Sequence, residues 1–456
     1  MLGRIATMLW GKFESKDEIN KFGLLALLFA LIIGTYWGFR PIKDSIFGAI
    51  VGIDYQPWAK WFSLVVIIPL VLFYSKLVDM FPRHKVFYAL TILYGCAALA
   101  FAYFFSHPVY GLTNTVEDPT RVIGWLWYVY VESFGSLIVA LFWAFTTDIT
   151  KPESAKRGFP MIALFGQMGN IVGPYILTAR NLGFSTSAPI VAICGVLIFC
   201  MAIILWFFMK IIPARELVGY EMGAEQQGQQ KTHKEEEPGF FEGLKLLLTQ
   251  GYLMGIFLII TIYEVIVTIL DFHLKTSAKA AYPIEADNAA YLSSYAVWTG
   301  IVATLCVLLG INNIQRHLGM TWSLVLLPIL VSLAVCMLWI NPSLGVAFWI
   351  MVLSKAVNYA LNQPTLKQLY IPTTKDVKYK SQAWIEMFGS RGSKAAGSGV
   401  NMLRGIFKSK YGVAGISMFL SMSSMISFGF IIGWLFVALF VAKKYNHAIE
   451  QNKVIC

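Results

Sequence analysis

Glu221-Met-Gly-Ala-Glu-Gln-Gln-Gly-Gln-Gln-Lys-Thr-His-Lys-Glu-Glu-Glu-Pro-Gly239 is the one long polar interruption in a chain otherwise made of apolar runs. It is rich in Gln, Glu and Lys and has no apolar period, so it cannot bury enough surface to fold by itself and reads as a linker. Outward from it in both directions, apolar runs recur at a length that suits a bilayer, about 20 residues each. About twelve such runs are present, centred near residues 31, 69, 96, 134, 170, 199, 260, 300, 330, 352, 397 and 431. The linker divides them evenly, with as many before it as after it.

The bulk composition agrees with this reading. Of 456 residues, 57% are hydrophobic and 13% charged, where soluble domains carry about 25% charged residues. A polytopic membrane protein is expected, in contact with the lipid bilayer, rather than a globular enzyme. The formal net charge of +11 would suggest a nucleic-acid partner in a soluble chain. Here the cations fall in alternate connections between spans, for example Lys16 and Lys21, Arg83 and Lys85, Lys151 and Lys156, and Lys443 and Lys444. Topology accounts for that pattern, and no nucleic-acid partner is expected. The positive-inside rule places both termini in the cytoplasm, which requires an even number of spans. The short N-terminal segment of mixed charge carries no cleavable signal, so a bacterial inner membrane is expected. Six cysteines lie at no metal or redox spacing and read as small core residues. No cofactor is expected.

A long central loop between two halves of six spans is the layout of a major-facilitator-type transporter, whose halves are repeats. The sequence therefore predicts an all-α protein with an N-terminal half over residues 1–213, a cytoplasmic linker over 214–245 and a C-terminal half over 246–456. An internal match supports the repeat. The fifth span contains Phe165-Gly166-Gln-Met-Gly169-Asn170-Ile-Val-Gly173, and the eleventh contains Phe388-Gly389-Ser-Arg391-Gly392-Ser-Lys394-Ala-Ala-Gly397. Both carry F-G-x-x-G and a further glycine about a turn later. Small residues let helices approach closely or line a space that something else fills. Where the fifth span is neutral, the eleventh carries Arg391 and Lys394 about one turn apart. A charge at the bilayer centre costs at least ~2.5–3.5 kcal/mol, and two cations beside a row of small residues point to an anionic passenger.

Other ionisable residues inside spans are candidates for the same site. Arg40 and Lys43 end the first span, and they share a face if the helix continues through Pro41. Arg40 could instead snorkel to the membrane surface, whereas the run after Lys43 stays apolar. Glu132 lies deep in the fourth span and reads as the partner of a substrate-site cation. Asn170 adds a polar candidate next to Gly169. In the seventh span Asp271 and Lys275 form an acid–base pair four residues apart, with Glu264 two turns earlier. Such a carboxylate can hold a cation while the site is empty and release it to a phosphate. A helix-stabilising pair is the plain alternative. His273 reads as a surface histidine at a span end, and Lys355 in the tenth span either lines a cavity or faces a helix neighbour. Tyr36, Trp37, Trp125, Tyr128, Trp143 and Tyr359 are aromatics able to stack on a base. No G-x-x-x-x-G-K-[ST] phosphate loop and no hydrolase motif occur, so a non-enzymatic role is expected.

Several runs together resemble the ATP/ADP translocase (nucleotide transporter) family of plastids and intracellular bacteria. They are Asn358-Tyr-Ala-Leu-Asn-Gln-Pro364-Thr-Leu-Lys367-Gln-Leu-Tyr370-Ile-Pro372, then Lys378-Tyr-Lys380-Ser-Gln-Ala383, then Arg391-Gly-Ser-Lys394-Ala-Ala-Gly397-Ser. Arg40-x-x-Lys43-Asp44, Glu132-Ser-Phe-Gly-Ser and Asp271-x-x-x-Lys275 match in the expected order, so the likeness covers nearly the whole chain. The resemblance implies transport of ATP, ADP or other nucleotides, with intramembrane charges at Lys43, Glu132, Asp271 and Lys394. It also marks departures: Gln368 stands where the family favours Glu, Gln382 where it favours Lys, Glu386 where it favours Asp, and Asp271 where it favours Glu.

The expected protein is thus a monomeric nucleotide transporter working by alternating access, most simply as an ATP/ADP exchanger. Substrate-binding residues are expected at Lys43, Glu132, Asp271, Lys275, Arg391, Lys394, Arg40 and Asn170. Proton-coupled symport of nucleotides or of a related organic anion is the alternative mode, and a non-transporting receptor the alternative class.

Overall fold

The computed structural model describes residues 13, 15–217, 240–310, 313–374, 385, 389–451 and 453–455. The polar linker at 221–239, and Lys378, Lys380, Gln382, Glu386 and Phe388, lie outside the described residues.

Helices account for nearly all of the described chain, and no strand occurs among the described residues. Six long helices come first: α1 (Lys16–Phe47), α2 (Gln56–Met80), α3 (Arg83–Ser106), α4 (Val122–Asp148), α5 (Pro152–Ile176) and α6 (Ala188–Ile211). After the linker follow α7 (Phe240–Thr249), α8 (Gly251–Ala281), α9 (Glu285–Leu308), α10 (Asn313–Ile340), α11 (Leu344–Val357), α12 (Gln363–Gln368) and α13 (Ser390–Glu450). Among the described residues, nine segments are long and apolar enough to cross a membrane. Two of them, Lys16–Val78 with 63 residues and Ser390–Glu450 with 61, are each about long enough for two crossings. The nine are therefore compatible with the expected number of spans. Inside α13 the break falls at Gly412, whose φ of 57° and ψ of −133° suit glycine and few other residues. Large apolar side chains such as Leu72, Phe73, Leu93 and Phe436 are exposed along these helices. A helix apolar on all sides belongs in lipid.

The described residues gather into two compact units. The first comprises Met1–Ile53, Val65–His233 and Tyr282–Val297, the second Asp54–Leu64, Lys234–Ala281 and Trp298–Cys456. In the first unit α1 packs on α5, α4 and α6, while α3 packs on α6 and α4. In the second, α13 packs on α8 and α10, and α11 packs on the same two helices.

The glycine repeat has a packing cause in each unit. A Cβ on Gly169 would strike the carbonyl oxygen of Ala30, and one on Gly173 that of Gly34. The backbones of α5 and α1 therefore touch. In the second unit a Cβ on Gly397 would lie 2.7 Å from the carbonyl oxygen of Val265 and 2.9 Å from Thr268, so α13 meets α8 in the same manner. Small residues at these positions let the helices approach to backbone distance.

Polar groups at the helix ends are satisfied individually. Ser15 caps α1 by accepting the Glu18 N–H at 2.9 Å, with Asp17 and Glu18 in the first turn. Lys21, grouped above with the loop cations, is instead 3% exposed inside α1. Its ammonium donates to the carbonyl oxygens of Ile149 at 2.5 Å and Glu216 at 2.6 Å, acceptors that a helix end leaves without intrahelical donors. In the connection between α3 and α4, the Arg121 guanidinium donates to the carbonyls of Tyr110 at 2.6 Å, Gly111 at 2.8 Å and Val116 at 3.0 Å. The nearby Asp118 carboxyl is held below its ordinary pKa by the N–H and hydroxyl of Thr120. Glu285 at the start of α9 is also buried, accepting the Ser187 N–H and the Ser45 hydroxyl at 3.0 Å each.

Candidate functional site

Proline lacks an N–H and crowds the preceding turn, yet α1 runs unbroken through Pro41. Arg40 and Lys43 therefore lie three residues apart on one helix face. One turn after Lys43 the backbone widens into a π-helical turn, Gly48–Gly52. Such turns are rare and concentrate at functional sites. The Lys43 side chain is 6% exposed. Its ammonium forms an ion pair with the Glu132 carboxylate from α4, stands 3.6 Å from Asp44 Oδ1 and lies 4.2 Å from the centre of the Tyr128 ring. The Glu132 side chain keeps 34% of its surface open. The Arg40 guanidinium sits 4.5 Å from the centre of the Trp37 ring and 5.9 Å from that of Tyr36, within electrostatic reach of Lys43 and Glu132. Two cations thus face two carboxylates, a formally neutral set. Asn170 lies in α5, half-buried, with its Oδ1 enclosed and without a hydrogen-bond partner. Trp125 and Trp143 pack against other rings, on Phe47 and on Phe29 and Phe159, and Tyr128 is fully buried beneath Lys43.

In the second unit the carboxylate of Asp271 on α8 is shared. Lys275, one turn on, approaches Oδ2 at 2.5 Å, and Lys355 from α11 donates to Oδ1 at 3.1 Å. The three side chains are 12%, 11% and 16% exposed in the order Asp271, Lys275, Lys355. Lys355 belongs to the last turn of α11, and a second π-helical turn, Asn358–Asn362, follows at once. In that turn Asn362 donates to Asn358 Oδ1 at 2.8 Å, and its own Oδ1 is enclosed without a partner. Two turns before Asp271, Glu264 stands 3.8 Å from the ammonium of Lys394 on α13. Lys394 is half exposed. Arg391, one turn earlier at the start of α13, is half-buried. Tyr359 is exposed.

The structure therefore groups Arg40, Lys43 and Glu132 in one cluster and Asp271 and Lys275 in another, with Lys394 joined to Glu264. Asn170 and Arg391 stand on the same helices as their expected neighbours. One reading needs correction. His273 is not a surface residue: its Nε2 is enclosed without a hydrogen-bond partner, because α8 turns that face toward Val335, Phe419 and Ser423. Asp148, the last residue of α4, forms an ion pair with Arg83. The sequence left Lys355 undecided, since one lysine in an apolar run has no visible partner until the helices are assembled. Asp44, next to Lys43, and Lys60, which acts electrostatically on Asp271, were likewise not singled out. Among the described residues no group of His, Cys, Asp and Glu could hold a metal ion.

Comparison with known proteins gives matches along most of the chain. The family model described as TLC ATP/ADP transporter matches residues 124–344 and 333–445, together more than half of the chain. ADP,ATP carrier protein 1 of Rickettsia prowazekii (strain Madrid E) is 24% identical over 485 residues, covering 96% of this chain and 95% of that protein. ADP,ATP carrier protein 3 of Rickettsia typhi (strain ATCC VR-144 / Wilmington) is 23% identical over 444 residues, covering 85% and 87%. Among solved structures, the nucleoside transporter NupG aligns with a TM-score of 0.63 at 14% identity, over 92% of this chain and 99% of that one. The POT family transporter PepTSo aligns with a TM-score of 0.61 at 13% identity, over 94% and 98%. At such identities the solved structures bear on the fold alone, and they fit the expected major-facilitator-like architecture.

Proposed function

Because the chain belongs to the TLC ATP/ADP transporter family, we propose that this multi-pass membrane transporter carries nucleotides, exchanging ATP for ADP across a bacterial inner membrane by alternating access. The observation that carries the reading is the pair of acid–cation clusters on candidate membrane helices, Lys43 with Glu132 and Lys275 with Asp271. A lone buried ammonium is expensive, and a carboxylate partner offsets that cost while no substrate is bound. An arriving polyphosphate supplies stronger, multiply charged acceptors and takes over the cations. The carboxylate then prevents an empty carrier from holding uncompensated charge. In this reading Lys43, Arg391 and Lys394 grip the phosphates, Arg40, Lys275 and Asn170 contribute to binding, and Glu132 and Asp271 balance the cations. The division into two six-span halves around residues 214–245, a monomeric carrier and cytoplasmic termini belong to the same proposal.

The test is uptake of labelled ATP into proteoliposomes containing the full chain, with and without ADP inside. Uptake stimulated by internal ADP is expected. Uptake that ignores internal nucleotide and follows an imposed pH gradient would replace exchange by proton symport. Lys43→Ala and Lys394→Ala, at normal membrane levels, are each expected to abolish uptake. Wild-type rates in either would refute the assigned sites.

A further inference from the structure

Beyond Lys394, α13 carries polar residues three or four positions apart on one face: Ser398, Asn401, Arg404 and Lys408. The middle of this face is closed. Ser398 and Asn401 are buried, and the Asn401 amide donates to the Thr268 carbonyl of α8 at 3.1 Å. The far end opens again. Asp54, in the turn before α2, forms an ion pair with Arg404 through one oxygen and with Lys408 through the other at 2.7 Å. All of these residues belong to the second unit. Their side chains are 10% exposed for Arg404, 51% for Lys408 and 24% for Asp54. Among the described residues Asp54 is the one carboxylate in ion-pair contact with either cation, and Lys410 is exposed beside them. From Lys394 the helix advances about 15 Å to Arg404 and about 21 Å to Lys408, so the far cations are separate from the Lys394 grip. Topology does not account for them. α13 is long enough for two crossings, with its break at Gly412. The break then lies on the face opposite Lys443 and Lys444, the outer face when those are cytoplasmic, where Lys and Arg are few. Arg404, Lys408 and Lys410 nevertheless fall just before it.

We propose that Arg404 and Lys408 form a second phosphate-binding station, which captures the polyphosphate of a nucleotide at the outer end of α13 before it reaches Lys394. This rests on the nucleotide reading above and adds where the substrate is first held. Asp54 keeps both cations occupied and oriented at rest, and yields them to phosphate oxygens, which are multiply charged. A cationic patch at the surface also draws polyanions from solution and raises their encounter rate, an effect that salt screens.

The experiment measures labelled-ATP exchange over a range of salt in phosphatidylcholine proteoliposomes containing the full chain, and calorimetric binding of inorganic tripolyphosphate to the purified chain in detergent. Lys408→Gln is expected to raise KM for ATP about threefold or more at low salt and to flatten its salt dependence, with a smaller change in maximal rate. Lys408→Arg is expected to restore both. Asp54→Asn frees the two cations and is expected to tighten tripolyphosphate binding, a sign that a folding defect does not give. Unchanged KM and salt dependence in Lys408→Gln, or weaker tripolyphosphate binding in Asp54→Asn, would overturn the proposal. So would an effect of Lys408→Gln that appears only when phosphatidylglycerol is added to the vesicles, since the station would then hold a lipid phosphate. Lys394→Ala is expected to keep part of the tripolyphosphate binding, and Lys408→Gln added to it to remove that part. If this holds while the wild-type chain exchanges no nucleotide, the station stands for polyphosphate and the nucleotide reading falls. If Lys394→Ala alone removes all tripolyphosphate binding while the wild-type chain exchanges nucleotide, the station falls and the nucleotide reading stands.

Discussion

Lys43 shows what one buried charge demands of its surroundings. Its ammonium reaches the Glu132 carboxylate on α4, its neighbour Asp44 and the face of Tyr128. Removing one partner of a buried pair costs about 3–5 kcal/mol because the other is stranded. Glu132 keeps about a third of its surface open and Asp44 remains nearby. Glu132→Gln is therefore expected to cost less, about 1–3 kcal/mol, seen as a lower midpoint in detergent thermal unfolding. Lys43→Met combined with Glu132→Gln is expected to recover part of that loss. A double variant as unstable as the sum of the singles would show that the two residues do not interact.

At the scale of elements, close helix approach governs the architecture of both units. The α1–α5 and α8–α13 contacts close through Gly169, Gly173 and Gly397, where an added Cβ would collide with backbone oxygen. Gly173→Leu is expected to destabilise by about 1–3 kcal/mol or more, since a carbonyl of the facing helix cannot move aside as a flexible side chain can. Gly433 in α13 has nothing within 4 Å of its would-be Cβ. Gly433→Ala should therefore leave the midpoint unchanged or raise it by up to about 1 kcal/mol, through helix propensity. Thermal unfolding of the two variants side by side checks the pair of expectations. Similar shifts in both would mean that the α1–α5 approach is not tight.

At the scale of the whole molecule, orientation follows from the distribution of cations. The connection between α3 and α4 is expected to face the periplasm, and the one between α4 and α5, with Lys151 and with Lys156 and Arg157 in the first turns of α5, the cytoplasm. Asn114→Cys, at a half-exposed position of the first connection, is expected to react with a membrane-impermeant maleimide in intact cells. Lys156→Cys is expected to react only after permeabilisation. The reverse pattern would invert the topology.

The sequence by itself determined the class of this protein. Long apolar runs have one stable setting, the polar linker interrupts them midway, and charges placed where lipid penalises them mark a site without any coordinates. The glycine repeat was also legible, although its cause, backbone contact of α5 with α1 and of α13 with α8, was not. What only the tertiary structure decided is which charges face which. Lys355 lies 84 residues from Asp271, and Glu132 lies 89 residues from Lys43. No local period links such positions. Asp271 and Lys275 read as a self-contained pair because they share one helix turn, and Lys355, which shares the carboxylate, arrives on another helix. His273 was misplaced for the same reason: whether a span-end residue meets water or a neighbouring helix is fixed by how helices pack. Local pattern sets how each segment relates to lipid, whereas ion pairing depends on distances of a few ångströms that exist only after the helices assemble.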